Sequence, residues 1–226
     1  MRRPGLDPIL VREQLFLLAH DETRQMRPRL HVPALAAGLA GATVMDLLIA
    51  QRVTVESGAV VPDWYRRETT GDPVTDDVLA LIMQKAPGPA LPALIRAAAP
   101  GLYERTTGAL VHRGVIVAGP PRRWRKREFE IAQESVVVRV RAKIGYRVEG
   151  RDGPSADADC LCALLAALGL HGALLRGTRS EVDPLLQHVI RELPHRARIN
   201  NHPIGQAPAV ADAVRTVVQD LATSAM

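Results

Sequence analysis

The sequence predicts a mostly α fold: a single compact helical domain (1–226) around a central apolar helix bundle, with two projecting β-hairpins. Three observations lead there. Two segments, 33–50 and 157–168, are almost wholly apolar, so each must be covered on nearly all sides. The chain is 47% hydrophobic but holds only two Phe and two Trp, so its core is built from Leu, Val, Ile and Ala, which favours packed helices over an aromatic-rich sandwich. Alternating runs meet turn residues at 53–61 and at 115–131, the two expected hairpins.

Taken in order, 10–19 reads as a first helix with Leu10, Gln14, Leu17 and Leu18 on one side, and it stops at the polar run 20–24. The basic stretch 25–31 reads as loop. In the helix 33–50, Leu35, Leu39, Ala42, Met45 and Ile49 recur at spacings of three and four, and Asp46 is the one charge. Gly38 and Gly41 there predict close approach of a neighbouring backbone or helix. Strands 53–55 and 59–61 turn at Ser57-Gly58, and Trp64-Tyr65-Arg66-Arg67 lies in an exposed connector. Asp72 then caps a helix over 75–85, with Pro73 at its first position.

Prolines break the chain before a short helix, 93–98. The helix 102–113, with Leu102, Thr106, Ala109 and Leu110 inward, ends at Gly114. Strands 115–118 and 124–131 form the second hairpin. By propensity alone 136–146 suits helix and strand equally. Helices follow at 157–168, 174–175, 182–193 and 209–221, with 194–208 as loop.

Composition and motifs point away from several function classes. No apolar run reaches the ~20 residues that span a bilayer, and charges interrupt any signal-peptide core near the N-terminus, so the expected location is cytoplasmic. Cys160 and Cys162 are two apart on a helix, point about 200° apart and cannot pair or chelate together, so they read as core residues. No P-loop, dinucleotide fingerprint, H-E-x-x-H or G-x-S-x-G is present, and the seven histidines are scattered singly, which predicts a binding protein without catalytic residues, metal or cofactor. Asp72, Asp76 and Asp77 read as helix-start chemistry.

The informative cluster is Arg122, Arg123, Trp124, Arg125, Lys126 and Arg127, five cations around one indole at a hairpin tip, in a chain of net charge +5 and pI near 9.8. Nearly all its cations are Arg, whose guanidinium fork grips phosphate bidentately. Indoles settle at lipid headgroups, and each nearby cation adds ~1 kcal/mol on an anionic surface. An anionic phospholipid surface is therefore the expected partner. A nucleic-acid backbone, with the indole stacked on a base, is the alternative.

The run Gly38-Leu39-x-Gly41, Asp46-Leu47 and Arg52-Val53 resembles the helix-to-strand motif of the Golgi phosphoprotein 3 family. Four more segments match in order: Arg12-Glu13-Gln14-Leu15-Phe16-Leu17-Leu18; Thr70-Gly71-Asp72 with Asp76 and Leu79; Leu110-Val111-His112-Arg113-Gly114-Val115-Ile116; and 161–168. The resemblance implies a helical domain with projecting hairpins, makes 136–146 a helix, and implies a peripheral membrane protein that binds phosphatidylinositol 4-phosphate and acts as an adaptor for protein clients. The positions of the family's headgroup pocket fall here on His31, Ala40, Pro100 and Tyr103, and none keeps the family residue. Arg29 and Arg105 lie close by. The headgroup candidates are thus Arg29, His31, Arg105 and the cluster 122–127. A homo-oligomer through hairpin 115–131 is a further expected contact.

Overall fold

A computed structural model describes residues 9–66, 68–85, 88–119, 129–174, 178–199 and 202–224. Nine α-helices and three two-stranded antiparallel hairpins make up the described chain. The central helix α2 (Val32–Ile49) is buried along its length by α1 (Val11–Leu18), α7 (Ala156–Leu168) and α9 (Ala207–Thr223). By length and composition α2 could cross a membrane, yet most of it is buried, with Leu35, Leu39, Met45, Leu47 and Leu48 in this core.

The two glycines of α2 are where the neighbours come closest. A Cβ on Gly41 would lie 2.2 Å from Val214 Cγ2 of α9, and one on Gly38 would lie 2.7 Å from Leu168 Cδ1 of α7. The expected pairing of helices 33–50 and 157–168 is present, but α9 lies against both and completes the centre. Cys160 and Cys162 are free and buried, because α7 is covered on all sides.

The hairpin of β3 (Val53–Glu56) and β4 (Ala59–Pro62) turns at Ser57 and Gly58, both at positive φ, as its two-residue loop requires. It lies against the body: Leu91 N–H donates to the Gly58 carbonyl, and Val55 N–H to Gln206 Oε1 at 2.6 Å. A hairpin that local pattern does not announce joins β1 (His20–Asp21) to β2 (Arg27–Pro28), where a loop was expected; two-residue strands carry no alternation to read. The remaining hairpin pairs β5 (Ile116–Ala118) with β6 (Phe129–Ile131), and its tip lies outside the described residues.

Helices α3 (Pro73–Met83), α4 (Leu91–Ala98) and α5 (Leu102–His112) follow the sequence closely, and α6 (Glu134–Val148) is helical. The last stretch corrects the sequence reading. Helix α8 runs over Arg179–Ile199, through Pro184 and Pro194, where the expectation was a stop at 193. Each proline removes an intrahelical bond, but the buried row Val182, Leu186, Val189, Leu193 and Ala197 continues past both. Arg196 beyond Pro194 also reaches Asp159 of α7 at 3.3 Å. Tertiary burial thus overrides the breaker.

Candidate functional site

The segments that carry the family resemblance meet around α1. All eight residues of this helix are buried, Arg12, Glu13 and Gln14 included, so it has no solvent face. A buried charge must be paired and hydrogen-bonded, and each polar residue of α1 finds a partner on a different element. The Arg12 guanidinium grips Asp72 bidentately at 2.8 and 3.1 Å. Arg113, just after α5, donates to Glu13 at 2.9 Å, and Gln14 Nε2 donates to Asp157 of α7 at 3.2 Å.

Asp46 supplies the fourth link. Leu10 offers no side-chain cap to α1, and the Asp46 carboxylate of α2 takes its place, accepting from the N–H groups of Val11 at 2.8 Å and Arg12 at 3.2 Å. A carboxylate at a helix N-terminus is favoured by the orphan donors and the dipole. Burial nevertheless dominates and pushes its pKa up to about 7. Burial likewise raises Glu13, against the pull of Arg113 and Arg12. Burial pushes Asp72 upward too, but the bonds from Arg12 and Thr75 outweigh it and hold Asp72 below the usual carboxylate range. Asp72 also caps α3 through Thr75 N–H at 2.7 Å, the role its sequence position predicts.

Arg52, another motif residue, is buried and donates to the Arg66 carbonyl at 2.6 Å. The resembling residues therefore build the scaffold: Gly38 and Gly41 admit neighbours, Asp46 and Asp72 cap helices, and Arg12, Arg52 and Arg113 tie elements together.

Beside this network lies a cleft of about 750 Å³ between α3, α5 and the start of α1. Its rim carries Arg105, His112 and Arg113 with Asp77 and Thr70, and Leu10, Val74 and Ala109 are among its apolar lining. Arg105 is half-exposed and pairs with Asp77 at 3.0 Å, so an incoming anion would compete with that carboxylate. A second cleft, about 370 Å³, is lined from α7, α8 and α9 and holds a His171–Asp183 pair at 2.6 Å. Among the described residues, no Ser, Thr, Cys or Lys lines it. Among the described residues, no three His, Cys, Asp or Glu side chains converge as a metal site.

The other candidates are spread out. Arg29 follows the β1–β2 hairpin, where its Nε donates to the His20 carbonyl at 3.3 Å and its guanidinium faces Asp21 at 3.9 Å. His31 is exposed and precedes α2. Ala40 is buried in the core and Pro100 is exposed. Tyr103 belongs to a ring cluster: its hydroxyl lies 3.0 Å from His20 Nε2, while His20 stacks on Phe16 at 4.1 Å. His20 Nδ1 lies 2.6 Å from the Phe16 carbonyl and so carries the proton, which leaves Nε2 to accept from Tyr103. Burial lowers His20 to about 4 and keeps it neutral. Most histidines are exposed or half-buried, as expected, but His20 and His171 are buried. Arg122, Arg123, Trp124, Arg125, Lys126 and Arg127 lie outside the described residues.

Sequence reasoning did not place Asp77, His112 and Arg113 around one cleft. Arg113 stands in a resembling segment, but its partner Glu13 is 100 residues away. Comparison with curated proteins gives no match. The model of the family described as Golgi phosphoprotein 3 (GPP34) matches residues 11–221. The match runs from the first residue of the buried α1 into the last turn of α9, and the chain therefore belongs to the Golgi phosphoprotein 3 (GPP34) family.

Proposed function

We propose that this protein is a peripheral membrane protein, acting from the cytoplasmic side, which binds anionic phospholipid headgroups and serves as an adaptor for other proteins. Membership of the Golgi phosphoprotein 3 family over residues 11–221 is the observation that carries this reading. The chain's own residues support it. Five cations surround Trp124 in 122–127, and the net charge is +5. Arg105 at the rim of the larger cleft, and Arg29 and His31 near the β1–β2 hairpin, are further headgroup candidates. The scaffold role of Arg12, Asp46, Asp72 and Arg113, whose side chains are held by other elements, favours binding over catalysis.

Sedimentation with vesicles of phosphatidylserine and phosphatidylcholine, against phosphatidylcholine alone, tests the reading, with a nucleic-acid shift assay alongside. Binding to the anionic vesicles is expected. Trp124→Ala should weaken it at any salt, because insertion of an indole is not screened. Arg123→Ala with Arg125→Ala should weaken it mainly at low ionic strength, where attraction reaches ~30 Å at 10 mM and ~8 Å at physiological salt. Nucleic-acid binding without vesicle binding would overturn the proposal.

A further inference from the structure

The connector after β4 holds two aromatic side chains in water. Trp64 is 42% exposed and Tyr65 is 99% exposed. Single apolar side chains at a surface need no explanation, but here a Trp and a Tyr stand side by side on a tight turn. The turn is fixed from three directions. Asp63 Oδ1 accepts from the Tyr65 N–H at 2.9 Å, the Arg66 N–H donates to the Asp63 carbonyl at 3.3 Å, and buried Arg52 donates to the Arg66 carbonyl at 2.6 Å. Asp63 N–H also donates to the Arg52 carbonyl at 2.8 Å, which sews the turn to the residue just before β3. The aromatics are therefore presented by a braced element, so little ordering entropy opposes binding through them.

From this geometry we propose that the 63–66 turn is a second membrane contact, in which Trp64 and Tyr65 seat at the headgroup boundary of an anionic phospholipid surface. The proposal rests on the membrane reading above and adds a site outside the basic hairpin. Trp and Tyr each combine an apolar ring with one polar tip, which suits a boundary that is dry on one side and wet on the other. Arg66, with its side chain about half exposed, places a cation next to them, and its partner Asp63 lies on the same turn. A protein partner fits less well. A standard interface takes about 800 Å² from each side, while the other exposed large apolar residues described, Val111, Val117, Val138, Tyr146, Leu185 and Leu221, lie on different elements and do not extend this pair in sequence.

The two native cysteines make the test clean. Both are buried, and burial raises Cys160 well above its ordinary value and Cys162 to about 12, so neither thiol reacts readily at neutral pH. A Tyr65→Cys chain thus accepts one environment-sensitive thiol dye at the turn, with Trp124 and the basic cluster untouched. With phosphatidylserine-containing vesicles the dye should brighten and be quenched by lipids brominated in their acyl chains. Trp64→Ala with Tyr65→Ala, in a chain of unchanged circular dichroism, should weaken vesicle binding by roughly tenfold. Sedimentation of the labelled chain with a silent dye, or unchanged affinity of the double variant, would overturn this proposal and leave the membrane reading standing. Absence of sedimentation by the unaltered chain would overturn both. A dye that brightens with protein concentration alone, without vesicles, would make the turn a contact between copies and overturn the lipid assignment.

Discussion

Asp46 and His20 are buried titratable groups whose shifts act on stability in opposite senses over one pH window. Asp46 titrates near 7 in the folded chain and near its ordinary value of 3.8 unfolded, so between those limits the folded state holds the extra proton. Its contribution favours folding at low pH and fades as pH rises from about 4 to about 7. His20 titrates near 4 folded and near 6.5 unfolded, so there the unfolded state holds the extra proton. Its contribution is present above pH 6.5 and fades as pH falls toward 4. The unaltered chain should therefore show a nearly flat stability profile across this window from these two groups. Asp46→Asn should uncover a profile that rises with pH, by an amount on the order of a few kcal/mol. Urea unfolding at pH 4.5, 5.5 and 6.5 measures it, and a slope identical to the unaltered chain would refute the assignment. The sequence marks Asp46 as the one charge in an apolar helix. What it caps lies 35 residues back, and no local pattern carries that distance.

At the scale of elements, the contact of α2 with α9 depends on the absence of one methyl group. Alanine is worth about 1 kcal/mol more than glycine in a helix interior, yet at Gly41 its Cβ would fall 2.2 Å from Val214 Cγ2. Val214 is β-branched and fully buried, so it has little freedom to move aside. Gly41→Ala should cost about 1–3 kcal/mol through overpacking, and Val214→Ala in the same chain should return part of it. At Gly38 the clash is with the end of a Leu168 side chain, which can change rotamer, so Gly38→Ala should be much milder. Thermal melts of the three variants check the order, and equal losses at both glycines would refute it. Close approach at both positions is legible in the sequence because glycine is otherwise unfavourable there. Which helix approaches is not, since α9 reads only as one amphipathic segment among several. The α8 boundary fails for the same reason: Pro194 is a local signal, while the burial of Ala197 is a tertiary one.

For the whole molecule, the buried apolar residues run as one contiguous cluster from Val11 to Val217, drawing on α1 to α9. The polar links follow the same pattern. Arg12 joins α1 to the start of α3, Asp159 of α7 takes Arg147 from α6 at 2.6 Å and Arg196 from α8 at 3.3 Å, and Gln206 joins the start of α9 to β3. A chain so connected has no element that can leave without exposing its neighbours, and we expect it to unfold as one cooperative unit. Far-ultraviolet circular dichroism follows the helices, while tryptophan emission follows Trp64, after β4, together with Trp124. The two transitions should coincide. Leu47 of α2 and Leu164 of α7 are fully buried, so replacing either by Ala should lose about 2–5 kcal/mol. If the molecule is one unit, each substitution moves both probes by the same amount, although neither residue lies in a hairpin. Separate transitions, or a loss below about 0.5 kcal/mol at both leucines, would instead divide the chain into independent parts.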